Sequence, residues 1–178
     1  QKKVAVVARP CELRALIELT KLKQASLENI ILVGLDCYGT YSVPDYKQSA
    51  KETPATGDEF MKGVKAGKAD SRLREACQVC EYPYPLVADI TLGLIGSDLG
   101  KEVLLLANTP AGQQVLDGLG LPAAKDDGRK AAIDKLVADR VKRRDEVFAQ
   151  TLAETKGLEK LTTIFAPCIG CHNCRDVC

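Results

Sequence analysis

The chain ends on four close-set cysteines, Cys168, Cys171, Cys174 and Cys178, in a C-x2-C-x2-C-x3-C run. A loop this short can wrap one corner of a cubane and present three thiolates to three of its irons, so the spacing predicts a 4Fe-4S cluster. Gly170 lies inside the run, where a residue without Cβ relieves crowding between the backbone and inorganic sulfide. In two-cluster proteins that use this run the fourth cysteine ligates the other cluster. On that pattern Cys168, Cys171 and Cys174 share one cluster and Cys178 serves a second. Zinc sites generally use separated C-x2-C pairs instead. Disulfides need an oxidising compartment, and Gln1-Lys2-Lys3 leads into only five apolar residues before Arg9, which is no export signal. His172, the single histidine, falls between ligands and reads as a surface residue.

The other four cysteines, Cys11, Cys37, Cys77 and Cys80, are dispersed. The C-x-x-C of Cys77 and Cys80 alone fits a redox pair, a metal half-site or coincidence. What joins the four is the element pattern around them. Lys3 to Ala8 (KVAVVA) and Asn29 to Asp36 (NIILVGLD) read as buried strands, and Cys11 to Gln24 between them carries Leu13, Leu16, Ile17 and Leu19 on a helical stripe. Strand, helix and strand predict a βαβ unit with a parallel pair. Ligands in such sheets gather beyond the strand carboxyl ends, where Cys11 and Cys37 both fall. A loop bearing Cys77 and Cys80 could close over them, to hold a second 4Fe-4S cluster or a structural zinc; four unrelated core cysteines are the remaining reading. All five tyrosines follow these cysteines: Tyr38, Tyr41 and Tyr46 beyond Cys37, Tyr82 and Tyr84 beyond Cys80.

Further along, residues 38–56 read as polar and irregular, and Asp58 to Ala66 as a short helix. Asp89 to Ile95 and Glu102 to Ala107 form two strands in hairpin-like connection, and Pro110 to Leu119 a helix starting on its proline. Asp126 to Thr155 is one long amphipathic helix with its stripe at Ile133, Val137, Val141, Phe148 and Leu152. Its DRVKRRDE stretch interleaves acids with bases and reads as a solvated face. The fold expected is α/β: a sheet with a βαβ unit and flanking helices, then a long helix leading to a cluster loop. The organisation expected is a cofactor-binding core over 1–122, a helical linker over 123–165 and a ferredoxin-type motif over 166–178. A start on Gln1 and an end on Cys178 suggest a piece of a longer protein.

Lysine plus arginine (25) nearly cancels aspartate plus glutamate (24), so no basic surplus points to nucleic acid. Hydrophobic residues at 46% suffice for a core. No apolar run approaches the roughly 18 residues of a membrane span. A cytoplasmic location is expected.

Several segments together resemble one family, the beta subunits of coenzyme F420-dependent hydrogenases and formate dehydrogenases. Arg9-Pro10-Cys11-Glu12-Leu13-Arg14-Ala15-Leu16 is similar to its x-P-C-x-[IL]-x-A-L turn, and Gly34-Leu35-Asp36-Cys37 to its G-L-x-C block. Cys77-Gln78-Val79-Cys80 followed by Ala88-Asp89-Ile90-Thr91-Leu92-Gly93-Leu94-Ile95-Gly96-Ser97 is similar to its C-x-x-C and A-D-I-x-x-G-x-x-G-S signature. The resemblance implies an iron–sulfur flavoprotein subunit of an oxidoreductase in an anaerobe. It would relay electrons between FAD or the deazaflavin F420 and one or two 4Fe-4S clusters. Cys11, Cys37, Cys77 and Cys80 then become cluster ligands. The implied partners are the catalytic subunit of a formate dehydrogenase or hydrogenase, or a heterodisulfide reductase-like complex, with F420 or another carrier. Candidate flavin contacts are Gly93, Gly96, Ser97 and Gly100, whose backbone amides could approach a pyrophosphate, with Thr40 and Tyr41 as secondary candidates. A flavin-free iron–sulfur wire and a structural zinc module are the alternatives, and no residue is expected to act as a general acid or base.

Overall fold

The computed structural model describes residues 3–68, 70–125, 128–172 and 174. Two strands rich in β-branched residues, β1 (Val4–Ala8) and β2 (Ile30–Leu35), run parallel, with Val4 beside Ile30 and Ala8 beside Gly34. Helix α1 (Pro10–Lys21) links them, completing the expected βαβ unit. It opens on a proline, whose missing N–H is no loss in a first turn. The Glu12 carboxylate reaches back to accept from the Arg9 amide at 2.8 Å. Strand β3 (Ile90–Gly93) adds parallel to β2, and β4 (Leu104–Ala107) antiparallel to β3, giving a mixed sheet in the order β1-β2-β3-β4. Leu13 from α1, Leu32 from β2 and Ala88 before β3 form the core, with Val6, Ala8, Leu16, Leu27 and Ile30 packed against them.

Two expectations change. β1 is an edge strand, not a buried one, and Val4 and Val7 are 54% and 61% exposed. A valine run reports fitness for a pleated surface, and its place in the strand order decides how much is covered. Residues 38–56 are not irregular throughout: they contain α2 (Val43–Glu52). Ser42 caps it by accepting from the Asp45 amide at 3.2 Å, and Pro44 sits in its first turn, a helix-starting position. Beyond the long helix described below, Leu158 to Phe165 forms a helix of its own, α7, after a break at Lys156 and Gly157.

Between these lie α3 (Thr56–Lys65), the single turn α4 (Glu75–Gln78) and α5 (Pro110–Leu119), which the Thr109 hydroxyl caps at the Gly112 amide, 3.1 Å. The long helix α6 (Arg129–Thr155) is continuous, as its periodicity predicts. Only its first half packs. Ile133, Val137 and Val141 are half-buried, whereas Phe148 and Leu152 are exposed. DRVKRRDE is largely a solvated face, with one exception: Arg140 is buried. Among the described residues no helix is long and apolar enough to cross a membrane.

Candidate functional site

The parallel register of β1 and β2 sets their carboxyl ends on one rim, and Cys11 and Cys37 follow those ends. Cys11 occupies the first turn of α1 and is exposed; Cys37 is half-buried just past β2. Two strand-like contacts then carry the C-x-x-C segment to this rim. Tyr41 pairs with Leu73 in an isolated antiparallel bridge, and the Arg74 amide donates to the Thr40 carbonyl at 3.0 Å. Arg74 in turn begins α4, whose turn contains Cys77. The Thr40 hydroxyl consequently lies 3.6 Å from the Cys77 sulfur. On the other side the Cys37 amide donates to the Pro83 carbonyl at 2.7 Å, fixing the chain just beyond Cys80. Long-range pairing therefore does what spacing along the chain does not show: it brings Cys37, Cys77 and Cys80 to one place.

The electrostatics report the same proximity. Burial pushes the Cys37 thiol above its ordinary range, a hydrogen bond from the Gly39 amide acts in the opposite sense, and charge on Cys77 or Cys11 pushes it up further. The Arg140 guanidinium, from α6, donates to the carbonyl oxygens of Tyr38 at 2.8 Å, Cys37 at 3.4 Å and Cys80 at 3.4 Å. Desolvation pulls Arg140 down from its ordinary value, while Cys80, Cys37 and Cys77 act to raise it. Arg144, one turn on, pairs with Glu81 at 2.6 Å and holds the same loop from outside.

A second buried arginine anchors α6 at its start. Arg129 grips Asp36 with both guanidinium nitrogens, the second contact at 2.8 Å, and Asp36 is 1% exposed. One carboxylate oxygen of Asp36 also accepts from the amides of Leu94 and Ile95, each at 2.9 Å. One side chain thus ties the end of β2, the turn after β3 and the start of α6. Gly96 serves this junction: its φ is +86°, and a Cβ there would stand 2.9 Å from the Arg129 Cα.

Beside the thiols lies a cavity of about 820 Å³, within the size range of ligand sites. Tyr38, Ile95, Gly96 and Ser97 wall it on the sheet side, α3 lines it with Phe60, Met61 and Val64, and α6 with Leu136, Arg140 and Arg143. Lys65, Lys68 and Lys135 join Arg143 as cations, with Asp70 and Asp139 the acids. Arg140 belongs to both places: it lines the cavity and donates to the carbonyls of Cys37 and Cys80.

Of the six flavin candidates, Gly96 and Ser97 line the cavity. Ser97 directs its hydroxyl to the Gly93 carbonyl at 2.8 Å. Gly93 makes room for the Arg129 guanidinium, and exposed Gly100 sits beside Asp98. Thr40 stands at Cys77, not in the cavity wall. Tyr41 packs edge-on against Phe60, with ring centroids 5.8 Å apart, and bonds Asp70, which raises its hydroxyl to a pKa of about 12 together with burial as the larger cause. In the terminal run Cys168, Cys171 and Cys174 are exposed free thiols; Gly170 and His172 have φ values of +68° and +59°. His172 is at the surface, as expected. Cys178 lies outside the described residues.

Sequence reasoning noted Tyr38 only as an aromatic following Cys37 and missed Asp36, Arg129 and Arg140. Tyr38 adjoins Cys37, and its hydroxyl donates to the Leu94 carbonyl at 3.2 Å. A charged residue closing an apolar strand, Asp36 after NIILVGL, was the available signal for the first junction. Arg129 and Arg140 are eleven residues apart, about three helical turns, and so share a face of α6.

The donor chemistry at the rim suits a thiolate-bound redox group: free thiols, an N–H directed at sulfur, a hydroxyl near sulfur and a buried cation. Among the described residues no three His, Cys, Asp or Glu side chains are arranged to hold a single metal ion. The fold and these contacts define an α/β protein that gathers thiols at the carboxyl rim of its sheet, against the wall of a ligand-sized cavity. The family model for the C-terminal part of the coenzyme F420 hydrogenase/dehydrogenase beta subunits matches residues 1–121, and the chain belongs to this family. It is 30% identical to the F420-dependent formate dehydrogenase 1 subunit beta of Methanococcus maripaludis, over 99% of this chain and 54% of that protein. It is 28% identical to the F420-dependent formate dehydrogenase subunit beta of Methanocaldococcus jannaschii, again over 99% of this chain and 54% of that protein. The chain thus spans about half the length of these relatives.

Proposed function

We propose that this chain is the electron-relaying part of the beta subunit of an F420-dependent formate dehydrogenase or hydrogenase complex. In this reading Cys11, Cys37, Cys77 and Cys80 hold one 4Fe-4S cluster, and Cys168, Cys171 and Cys174 hold another, with Cys178 as a ligand of either. The cavity takes FAD. Bound there, FAD would supply exchange between the hydride pair carried by F420 and the single electrons carried by a cubane. The residues of this chain would bind and orient: Phe60, Met61, Val64 and Leu136 offer apolar walls, and Lys68 and Lys135 offer positive charge to phosphates, whereas Lys65 and Arg143 pair with Asp98 and Glu146. The partner would be the catalytic subunit, which supplies or accepts the electrons at the cluster end.

One observation carries this reading: the cavity adjoins the rim cysteines, because Arg140 lines the one and donates to the backbone carbonyls of Cys37 and Cys80 in the other. Two redox groups in these positions would be neighbours, as a relay requires. A flavin-free wire is the second reading. It is favoured by the turn after β3, where the Leu94 and Ile95 amides are committed to Asp36 and the Ser97 hydroxyl to Gly93.

Anaerobic purification with iron, acid-labile sulfide and flavin analysis tests both. Iron and sulfide in equal amounts with extractable FAD, and F420 reduction that falls on Cys77→Ser, are the expected results. Iron and sulfide without FAD would select the wire. Zinc without sulfide would overturn the relay.

A further inference from the structure

Arg140 is 7% exposed, and among the described residues no carboxylate pairs with it. Its hydrogen-bond partners are three backbone carbonyls, all of the chain that carries Cys37 and Cys80. Carbonyl oxygens solvate a guanidinium but do not neutralise it, and an uncompensated buried charge is costly. The other buried arginine of the same helix shows how this chain closes such a charge, since Arg129 faces the Asp36 carboxylate. The groups that act on Arg140 electrostatically are the sulfurs of Cys80, Cys37 and Cys77, which carry negative charge when they ligate a metal group. Arg144 does not share this role, because Glu81 and Asp145 already pair with it.

We infer that Arg140 is a positioning residue whose fixed positive charge is the counter-ion of the rim thiolates and raises the reduction potential of the group they hold. This rests on the reading of that set as cluster ligands. When one electron arrives from a one-electron donor, the thiolate-bound group gains one negative charge, with no bond made or broken and no proton required. A buried cation against the ligand backbone stabilises the more negative state. Arginine suits the task because it stays protonated and its planar fork spans several carbonyls at once.

The test uses the full chain, assembled with iron and sulfide under anoxia, as wild type, Arg140→Met, Arg140→Gln and Arg140→Lys. Iron and sulfide content, circular dichroism and a reductive titration followed by electron paramagnetic resonance are read for each. Arg140→Met is expected to keep its fold and iron and to shift the rim group's reduction equilibrium at least tenfold toward the oxidised state, about 59 mV for a one-electron couple. Arg140→Lys is expected to restore most of that shift. The signal from the terminal cysteines stays in place as an internal reference. If Arg140→Met fails to fold, Arg140→Gln, which keeps a donor and no charge, carries the same expectation. A neutral variant with full iron and an unmoved potential would overturn the role of Arg140 and leave the cluster reading standing. So would loss of iron in a folded Arg140→Lys, since a retained charge would then not suffice. A wild-type protein that takes up no iron would overturn the cluster reading itself, and this inference with it.

Discussion

Two arginines three turns apart on α6 are buried to nearly the same degree, 8% exposed at Arg129 and 7% at Arg140, yet they are treated differently. Arg129 meets a carboxylate that two backbone amides also hold, so its charge is closed within the protein. Arg140 meets three backbone carbonyls and, among the described residues, no carboxylate, while Cys80, Cys37 and Cys77 act on it electrostatically. The first arrangement is a structural rivet between the sheet and α6. On the inference above, the second is an electrostatic provision for the group the thiols would hold. Burial of a cation alone does not separate the two; the identity of the nearest anion does.

The comparison breaks first at Arg129. Arg129→Met should leave Asp36 buried with only two amide donors, and removing one partner of a buried pair costs about 3–5 kcal/mol. Urea denaturation would measure the loss, and Asp36→Asn added to it should recover part of that loss by removing the orphaned charge. A cost below about 1 kcal/mol, the range of exposed pairs, would show that Arg129 is no rivet. Gly96→Ala follows, because it places a Cβ against the Arg129 backbone at positive φ. Backbone strain of this kind costs about 1–3 kcal/mol, and the same titration would read it. Arg144→Ala should come next to nothing in stability, under about 1 kcal/mol, since its pair with Glu81 is partly exposed.

The smallest effect sharpens the contrast from the surface. Arg9 and Glu12 form an arginine–carboxylate pair too, but with side chains 33% and 46% exposed. The Arg9 guanidinium, with the Arg9 amide, holds the Glu12 carboxyl down at about 2 from its ordinary 4.5. A depressed carboxyl contributes stability above its ordinary value and loses it as pH falls toward the folded one. Wild type and Arg9→Met should therefore differ equally at all pH values above 4.5 and converge between 4.5 and about 2. Solvent screening keeps that difference under about 1 kcal/mol. Stability profiles that stay parallel through this window would remove the pair from the account.

Much of this fold is written locally. The βαβ unit, the antiparallel pair of β3 and β4, the boundaries of α5 and the continuity of α6 all follow from periodicity, prolines and caps that act over a few residues. Helix α2 was missed because Pro44 reads as a breaker unless Ser42 is recognised as the cap before it. The edge position of β1 was not legible, since a strand does not encode how many neighbours it has. The terminal cysteine run can be read from spacing alone for the opposite reason: its intervals fall within one short segment.

The sequence by itself determined the class of fold and the close-set terminal run of cysteines, because hydrophobic period and close spacing are properties of short segments. Only the tertiary structure decided that Thr40 and Arg74 draw Cys77 beside Cys37, that Asp36 rather than a ligand takes the amides after β3, and that α6 delivers one arginine to a carboxylate and another to the carbonyls of the cysteine-bearing segments. The physical reason is range. A residue's type fixes what it can bond, but the hydrogen bonds that join Cys37 to Pro83, Asp36 to Leu94, Ile95 and Arg129, and Arg140 to Cys80, Tyr38 and Cys37 span between 46 and 103 residues of the chain, and only the folded backbone sets those distances to a hydrogen bond's length.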